Sequence, residues 1–258
     1  MDRALHPHKF AMHLICACVF VTPASGVFAQ NFGPEAVQKP PPALSPFGTT
    51  ASPNIHPAWR LSGLPGQKAA PVTRFELNTE AGELALQLST DKSYGVLAHN
   101  WAGPAPAELS WRWRVVQPLE RADLATKKGD DAAVKVCVMF DQPLADIPLL
   151  QRAALALART ATGQAVPNAT VCYVWDPRYP AGTSGSNPYS ARVRYIVLDG
   201  AQVNQWTTQQ RRVSEDFQRL FGSESPVTPP VITVAVGADS DNTQGRSVAY
   251  LSQLRWLP

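Results

Sequence analysis

The feature that most constrains this chain is a succession of short segments in which apolar and polar residues alternate, each ended by Gly, Pro, Asn or Asp. Alternation with a period of two is typical of half-buried β-strands. We expect strands near 72–78, 83–89, 94–101, 107–117, 132–141, 170–176, 191–199, 205–213, 230–238 and 247–257. At least eight strands of this length predict a β-sandwich or a β-barrel.

Two predicted helices interrupt the strands. The first covers residues 147–161, with Asp146 as its N-cap. Its apolar stripe, which we expect to cover a sheet face or end, consists of Leu150, Ala154, Leu157 and Ala161. The second is a short helix that Ser214 caps and Gly222 ends, with Phe217 among its inward residues.

The N-terminal residues predict export. Arg3 and Lys9 precede a short apolar run, residues 10–21, and small residues surround a cleavage position after Ala29. This order is typical of a signal peptide over residues 1–29, and the run is too short to span a bilayer. No later stretch is long enough either, so we expect a periplasmic or secreted protein without a transmembrane segment.

An alternative for the same segment is a degenerate lipoprotein box, Ile15-Cys-Ala-Cys18, which would leave Cys18 lipidated at the cell surface. The apolar residues continue past it through Val21. That continuation favours an ordinary signal peptide.

The predicted mature chain begins with a proline-rich segment, residues 30–57. Closely spaced prolines cannot pair as a strand or continue a helix, so we expect an extended arm or linker there. The alternating pattern begins near Trp59, which places the β-sandwich domain at residues 58–258.

The charge distribution does not favour a nucleic-acid partner. Removal of the signal peptide takes away Asp2, Arg3 and Lys9 and changes the formal charge from +3 to +2. The remaining positive charges are scattered rather than clustered among aromatic residues. We therefore expect no nucleic-acid binding.

Two cysteines remain after signal removal, Cys137 and Cys172, each inside a strand-like run. In an oxidising compartment they can form a disulfide if the two strands are neighbours. The alternative is a pair of buried thiols that act as small apolar residues.

Motifs that identify common enzymes are missing. The chain contains no Walker loop, dinucleotide fingerprint, His-Glu-x-x-His or Cys-x-x-Cys sequence. The mature chain has two histidines, His56 and His99, and a structural role suits His99 better than a catalytic one. A non-catalytic protein is therefore favoured over an enzyme, and no catalytic residue or required cofactor is assigned.

Two polar turns contain closely spaced acidic residues. In the first, Asp130 and Asp131 follow Gly129 and repel each other unless hydrogen bonds or cations offset the repulsion. In the second, Asp239, Asp241 and Asn242 supply the oxygen ligands that calcium prefers, although the EF-hand spacing is not met. For both turns, ordinary turn hydrogen bonding is the alternative to ligand binding.

Aromatic residues near these turns favour a sugar ligand. Trp175 and Tyr189 flank a loop rich in Gly, Ser and Asn. An exposed ring beside Asn and Asp can take the apolar face of a pyranose while the polar groups bind its hydroxyls. Core packing explains Trp175 equally well. It is also the preferred explanation for Trp111 and Trp113, which alternate with Arg112 and Arg114.

The chain resembles a bacterial family known as the domain of unknown function 3047 over roughly residues 58–258. The matching motifs are Leu109-Ser-Trp-Arg-Trp-Arg-Val115, Ala122-Asp-Leu-Ala-Thr-Lys-Lys-Gly-Asp-Asp131, Val138-Met-Phe-Asp141, Tyr173-Val-Trp175, Asn187-Pro-Tyr189, Arg212-Val213 with Asp216, Phe221-Gly222, Asp239-Ser-Asp-Asn-Thr243 and Ala249-Tyr250. The resemblance implies a secreted or periplasmic protein without an assigned activity. The last strand is also similar to the closing strand of galactose-binding-like jelly rolls. Ser252 and Gln253 stand where an acidic residue often lies in those modules, so no site chemistry is carried over.

Together these observations predict an all-β protein with two accessory helices, a jelly-roll-like antiparallel β-sandwich. We expect the motif-bearing loops to converge at one rim and to bind a carbohydrate or envelope glycan without catalysis. The expected ligand-binding residues are Asp130, Asp131, Trp175, Tyr189, Asp239, Asp241 and Asn242. Calcium is a further candidate ligand. The alternatives are a glycan hydrolase or lyase, and a structural envelope protein with a flat interface.

Overall fold

The computed structural model describes residues 43–62, 70–80, 82–162, 166–199 and 202–257. The predicted signal peptide, Cys18 and the first part of the proline-rich segment lie outside these residues. In chain order the described strands are β1 (Trp59–Ser62), β2 (Arg74–Glu80), β3 (Glu83–Asp91), β4 (Tyr94–Gly103), β5 (Glu108–Gln117), β6 (Ala132–Phe140), β7 (Ala169–Trp175), β8 (Ser184–Asn187), β9 (Ser190–Asp199), β10 (Thr207–Arg211), β11 (Val231–Asp239) and β12 (Arg246–Leu257). The helices are α1 (Leu149–Thr162) and α2 (Val213–Phe221).

The strands form two sheets. The larger sheet has the order β1-β4-β11-β6-β7-β9-β8 and the smaller has the order β10-β5-β12-β3-β2. Every pairing is antiparallel except that of β7 with β9, which is parallel. The prediction of an all-β sandwich with two accessory helices is confirmed. Of the described helices, neither has the length and apolar character needed to cross a membrane.

The main core lies between the sheets and is built by alternation. On β5, Trp111 and Trp113 are fully buried, as predicted, and Trp111 packs against the ring of Tyr173 on β7. The intervening Arg112 and Arg114 point away from the core and pair with Glu83 of β3 and Glu80 of β2, across β12. Period-two alternation therefore places aromatic residues in the core and arginines on the outer face.

Cys137 and Cys172 form a disulfide in the structure. They lie directly opposite each other on β6 and β7, with Cα atoms 4.0 Å apart. The bridge spans a sequence separation of 35 residues. By the chain-entropy model, closing such a loop stabilises the folded state by about 4 kcal/mol.

Two short strands, β1 and β8, were not predicted, because neither shows sustained apolar alternation. The sequence of β8 is Ser-Gly-Ser-Asn, which is typical of a turn.

The last part of the proline-rich segment is not a free linker, because Leu44 and Phe47 are buried in the main core. Folded structure therefore begins before the expected boundary at residue 58.

The prediction that the apolar stripe of α1 covers a sheet is wrong. Leu150 and Leu157 are 86% and 71% exposed, whereas Leu155 is buried. Arg152 and Arg159 are half-buried and donate hydrogen bonds to the backbone carbonyls of Ile147, just before the helix, and Val166, just after it. The helix therefore buries Leu155 and presents other leucines to solvent.

The predicted helix starts also need correction. Helix α1 begins two residues after the predicted start, and the carboxylate of Asp146 accepts a hydrogen bond from Ser225. The N-cap of α2 is Arg212 rather than Ser214, without a side-chain capping bond. The predicted end at Gly222 is confirmed.

Substitution of Leu155 and Leu157 tests the orientation of α1. Leu155→Ala should lower the free energy of unfolding by about 2–4 kcal/mol, because it leaves a cavity. Leu157→Ala, made as the matched control, should change it by less than about 0.5 kcal/mol. Urea denaturation of both variants measures the difference, and equal losses would contradict the orientation described above.

His99 holds the segment before β1 in place. Its Nδ1 lies 2.8 Å from the carbonyl oxygen of Asn100, which can only accept, so Nδ1 carries the proton. Its Nε2 therefore accepts the backbone N–H of Ser45 at 3.2 Å. Burial lowers the pKa of His99 from 6.5, and the neighbouring His56 and Arg60 lower it further, while the bond to Asn100 opposes this shift.

A neutral His99 predicts a loss of stability in acid. Because its folded pKa lies below the unfolded value of 6.5, its contribution is complete above about pH 6.5 and falls as the pH drops towards the folded pKa. The difference in unfolding free energy between the wild type and His99→Gln should therefore shrink or reverse below pH 6. An unchanged difference from pH 8 to pH 5 would contradict the lowered pKa of His99.

Candidate functional site

Two acidic turns meet at one end of the larger sheet. The pairing of β11 with β6 places Asp239, the last residue of β11, opposite Ala132, the first residue of β6. The turn that enters β6 and the turn that leaves β11 must therefore lie side by side. This places the two acidic motifs together, as the sequence analysis expected.

Asp131 and Asn242 join these turns directly. The carboxylate of Asp131 accepts the backbone N–H groups of Asn242 at 3.2 Å and Thr243 at 2.6 Å. In return, the side-chain amide of Asn242 donates to the carbonyl of Asp130 at 3.1 Å. Asp131 is buried, so these bonds satisfy a carboxylate that would otherwise be costly to bury.

A third segment, which contains Tyr189, completes the surface. The hydroxyl of Tyr189 lies 2.8 Å from Oδ1 of Asn242 and 2.9 Å from the carbonyl of Lys127, and it can donate its proton to either. Asn187 donates to Oδ2 of Asp130 at 2.6 Å. The ring of Tyr189 is 58% exposed. We call Asp130, Asp131, Asn187, Tyr189, Asp239, Asp241 and Asn242 the two-turn surface.

Lys135 lies beneath this surface. It points to the outer face of β6, and its Nζ donates to Oδ2 of Asp239 at 2.5 Å. The other oxygen of Asp239 accepts the backbone N–H of Ala132 at 2.8 Å. Burial alone would lower the pKa of Lys135, but the carboxylate of Asp239, together with Tyr94 and Asp130, raises it above its usual value. The lysine is therefore charged.

The surroundings of Asp130 and Asp241 disfavour the charged form of each carboxylate. Burial raises the pKa of Asp130 to about 6, and the nearby Asp239 and Asp131 add to the shift, while Lys135 opposes it. Burial and the same two carboxylates also raise the pKa of Asp241. Oδ1 of Asp241 is buried and accepts no hydrogen bond from the described residues. One carboxylate of the two-turn surface, that of Asp241, is therefore not fully satisfied.

Three of these residues could hold a metal ion. One carboxylate oxygen from each of Asp131, Asp239 and Asp241 lies within 4.8 Å of the others. Asp131, however, is bound by backbone N–H groups, and Asp239 is neutralised by Lys135. The ammonium group already supplies a cation at this cluster, which opposes the binding of a divalent ion beside it.

Trp175 does not lie in the two-turn surface. It is 3% exposed and belongs to the core between the sheets. The next residue, Asp176, is also buried and accepts the backbone N–H groups of Arg178 and Tyr179. Of the aromatic residues expected to bind ligand, the structure brings only Tyr189 to the acidic turns.

Sequence reasoning missed Lys135 and Asn187. A lysine inside the otherwise apolar run Ala132–Phe140 is a signal that could have indicated a buried partner of opposite charge. Asn187 belongs to the Asn187-Pro-Tyr189 motif, but its contact with Asp130 depends on β8, which was not predicted.

The fold and the site together define an all-β sandwich protein with a carboxylate-rich surface at one end of a sheet. A family model described as "Protein of unknown function (DUF3047)" matches residues 57–255. The chain belongs to this family, as its motifs indicated. No curated protein matches the chain.

Several solved structures are similar at low sequence identity. The xyloglucanase domain of NopAA, a type three effector from Sinorhizobium fredii, is 11% identical, covers 82% of this chain and 94% of its own, and has a TM-score of 0.39. The catalytic domain of Humicola grisea Cel12A is 10% identical, with 83% and 94% coverage and a TM-score of 0.38. The K1 cleaved adhesin domain of Lys-gingipain from Porphyromonas gingivalis W83 is 9% identical, with 83% and 96% coverage and a TM-score of 0.35.

The raised pKa of Asp130 predicts that this carboxylate destabilises the protein at neutral pH. The folded state keeps the proton up to about pH 6, whereas the unfolded state releases it near 3.8. Its contribution to stability is therefore complete below about pH 3.8 and is lost as the pH rises through 6. Asp130→Asn should raise the unfolding free energy at pH 8 by about 1 to 3 kcal/mol.

This prediction is measured by urea denaturation of the wild type and Asp130→Asn between pH 4 and pH 8. The increase in unfolding free energy caused by Asp130→Asn should grow with pH and level off above about pH 7. A variant that is less stable than the wild type at pH 8 would show that the charged form of Asp130 supports the fold.

Proposed function

We propose that this protein is an exported carbohydrate-binding protein, and that it binds its glycan without catalysis at the two-turn surface. The observation that carries the proposal is the position of Tyr189. Its exposed side chain is held by its hydroxyl against both acidic turns, near the carboxylate of Asp241, one oxygen of which accepts no hydrogen bond from the described residues.

The charge and hydrogen-bonding character of the surface support a hydroxyl-rich ligand. Four carboxylates, those of Asp130, Asp131, Asp239 and Asp241, outnumber the two ammonium groups at this surface, those of Lys135 and Lys127. Such a surface attracts ligands that donate hydrogen bonds, and bonds from a hydroxyl to a carboxylate are among the stronger ones. A pyranose supplies several hydroxyl donors together with an apolar face, which the ring of Tyr189 can contact.

Export is part of the proposal. The predicted signal peptide over residues 1–29 supports it at the level of sequence. The disulfide between Cys137 and Cys172 gives independent support, because such bridges persist in oxidising compartments such as the periplasm and the exterior of the cell.

We test the proposal by screening the mature protein on a glycan array and measuring the affinity of the best ligand by calorimetry. Tyr189→Ala should weaken binding about tenfold or more, because the ring contact is lost. Tyr189→Phe, which keeps the ring, should bind more tightly than Tyr189→Ala. Asp241→Asn should also weaken binding, whereas the exposed control Glu215→Gln should not.

Two results would contradict the proposal. One is the failure of the wild-type protein to bind any glycan on the array. The other is binding that survives both Tyr189→Ala and Asp241→Asn, which would place the ligand elsewhere on the protein.

We further propose that binding needs no metal ion, because Lys135 already neutralises Asp239. A chelator or added calcium should leave the measured affinity unchanged. Loss of affinity in the chelator, with recovery on addition of calcium, would instead assign an ion to Asp131, Asp239 and Asp241.

One observation favours a second function at the same place, that of a glycan hydrolase. With a pKa of about 6, Asp130 can hold a proton near neutral pH beside other carboxylates, which is the pairing that general acid–base hydrolysis uses. Release of new reducing ends from a bound glycan, abolished by Asp130→Asn while binding persists, would establish hydrolysis. Binding without release would establish the non-catalytic function.

A further inference from the structure

A cavity of about 360 Å³ lies at the opposite end of β12 from the two-turn surface. Strand β12 begins at Arg246, just after the second acidic turn, and the cavity is lined by Leu254 and Arg255 near its other end. Nine residues of extended strand separate Arg246 from Arg255, a distance of about 30 Å. The cavity is therefore separate from the proposed glycan surface, and its volume is in the range of small-molecule pockets.

The walls of the cavity are mainly apolar. Leu44 and Phe47 come from the segment before β1, Leu84 comes from β3 and Leu254 from β12. Four apolar side chains from three parts of the chain thus face one space, which favours an apolar occupant.

The wall formed by the segment before β1 is fixed rather than loosely placed. The backbone N–H of Ser45 donates to His99, and the indole of Trp59 donates to the carbonyl of Ser45 at 2.9 Å. Phe47 packs on the ring of Trp59, with ring centroids 4.7 Å apart. These contacts preform the cavity, so a ligand does not have to order this wall on binding.

A positive charge without a partner stands at the cavity. Arg255 is exposed, and no carboxylate of the described residues lies within 4.0 Å of its guanidinium group. By contrast, Arg112 and Arg114 on the adjacent strand β5 are each paired with a glutamate at 2.5 Å. Arg255 is therefore available for an anionic group of a ligand.

The backbone next to Arg255 has an uncommon conformation. Gln253 has a φ of 52°, in the left-handed region that residues other than glycine seldom adopt. The register between β12 and β5 shifts between Ser252 and Arg255, which marks a bulge. Bulges re-aim side chains, and strained backbone is concentrated at functional sites. Here the bulge accompanies the burial of Leu254 and the exposure of Arg255 beside the same cavity.

We propose that this cavity binds a free single-chain amphiphile with an anionic head group. The apolar tail occupies the space between Leu44, Phe47, Leu84 and Leu254, and Arg255 pairs with the carboxylate, phosphate or sulfate of the head group. The proposal does not depend on glycan binding at the two-turn surface.

Calorimetry of the mature protein with monomeric decanoate tests the proposal, with 1-decanol as the uncharged ligand of equal chain length. Decanoate should bind more tightly than decanol. Arg255→Gln should weaken the binding of decanoate about tenfold and leave the binding of decanol unchanged. Arg60→Gln, another exposed arginine outside the cavity, is the matched control and should have no effect.

A second variant tests the tail separately from the head group. Leu84→Phe adds volume inside the cavity and should weaken both decanoate and decanol, while circular dichroism confirms that the variant is folded. The proposal is overturned if the wild type does not bind decanoate, or if neither Arg255→Gln nor Leu84→Phe weakens its binding. Association with phosphatidylglycerol vesicles in place of monomeric decanoate would also overturn it.

Discussion

Lys135 and Asp239 form an ion pair at the place where two central strands of the larger sheet join the two acidic turns. Both side chains are largely buried, so each would be unstable without the other. The pair supplies a buried positive charge among the carboxylates, and it allows Asp131, Asp239 and Asp241 to lie close together. The arrangement of the site therefore depends on this pair and on the strand register that forms it.

Much of the fold could be predicted because period-two alternation is a local property of the sequence. The ten predicted strands are present, and the tryptophans of β5 lie in the core. The prediction for α1 was wrong because a helical stripe was assumed to face the nearest sheet. In the structure, Leu155 is buried while Leu150 and Leu157 are exposed. Which side of the helix is buried depends on tertiary packing, which the apolar stripe alone does not specify.

The site could be predicted from the sequence only in part, because it also depends on tertiary contacts. The acidic turns could be recognised, but their contact follows from the register of β6 and β11, which alternation alone does not specify. Tyr189 reaches the turns through its hydroxyl, whereas Trp175 faces the core because alternation on β7 points it inward. Lys135 was overlooked because its partner follows it by 104 residues in sequence.

The two-turn surface depends on the electrostatic coupling of Asp130 to its neighbours, which carboxyl-carbon NMR titration can measure. In the wild type, Asp130 should titrate with a pKa of about 6. In Lys135→Gln the pKa of Asp130 should rise further, because the positive charge of Lys135 that lowers it is removed. A pKa near 4 in both proteins would show that the aspartates of the two turns do not act as one coupled site.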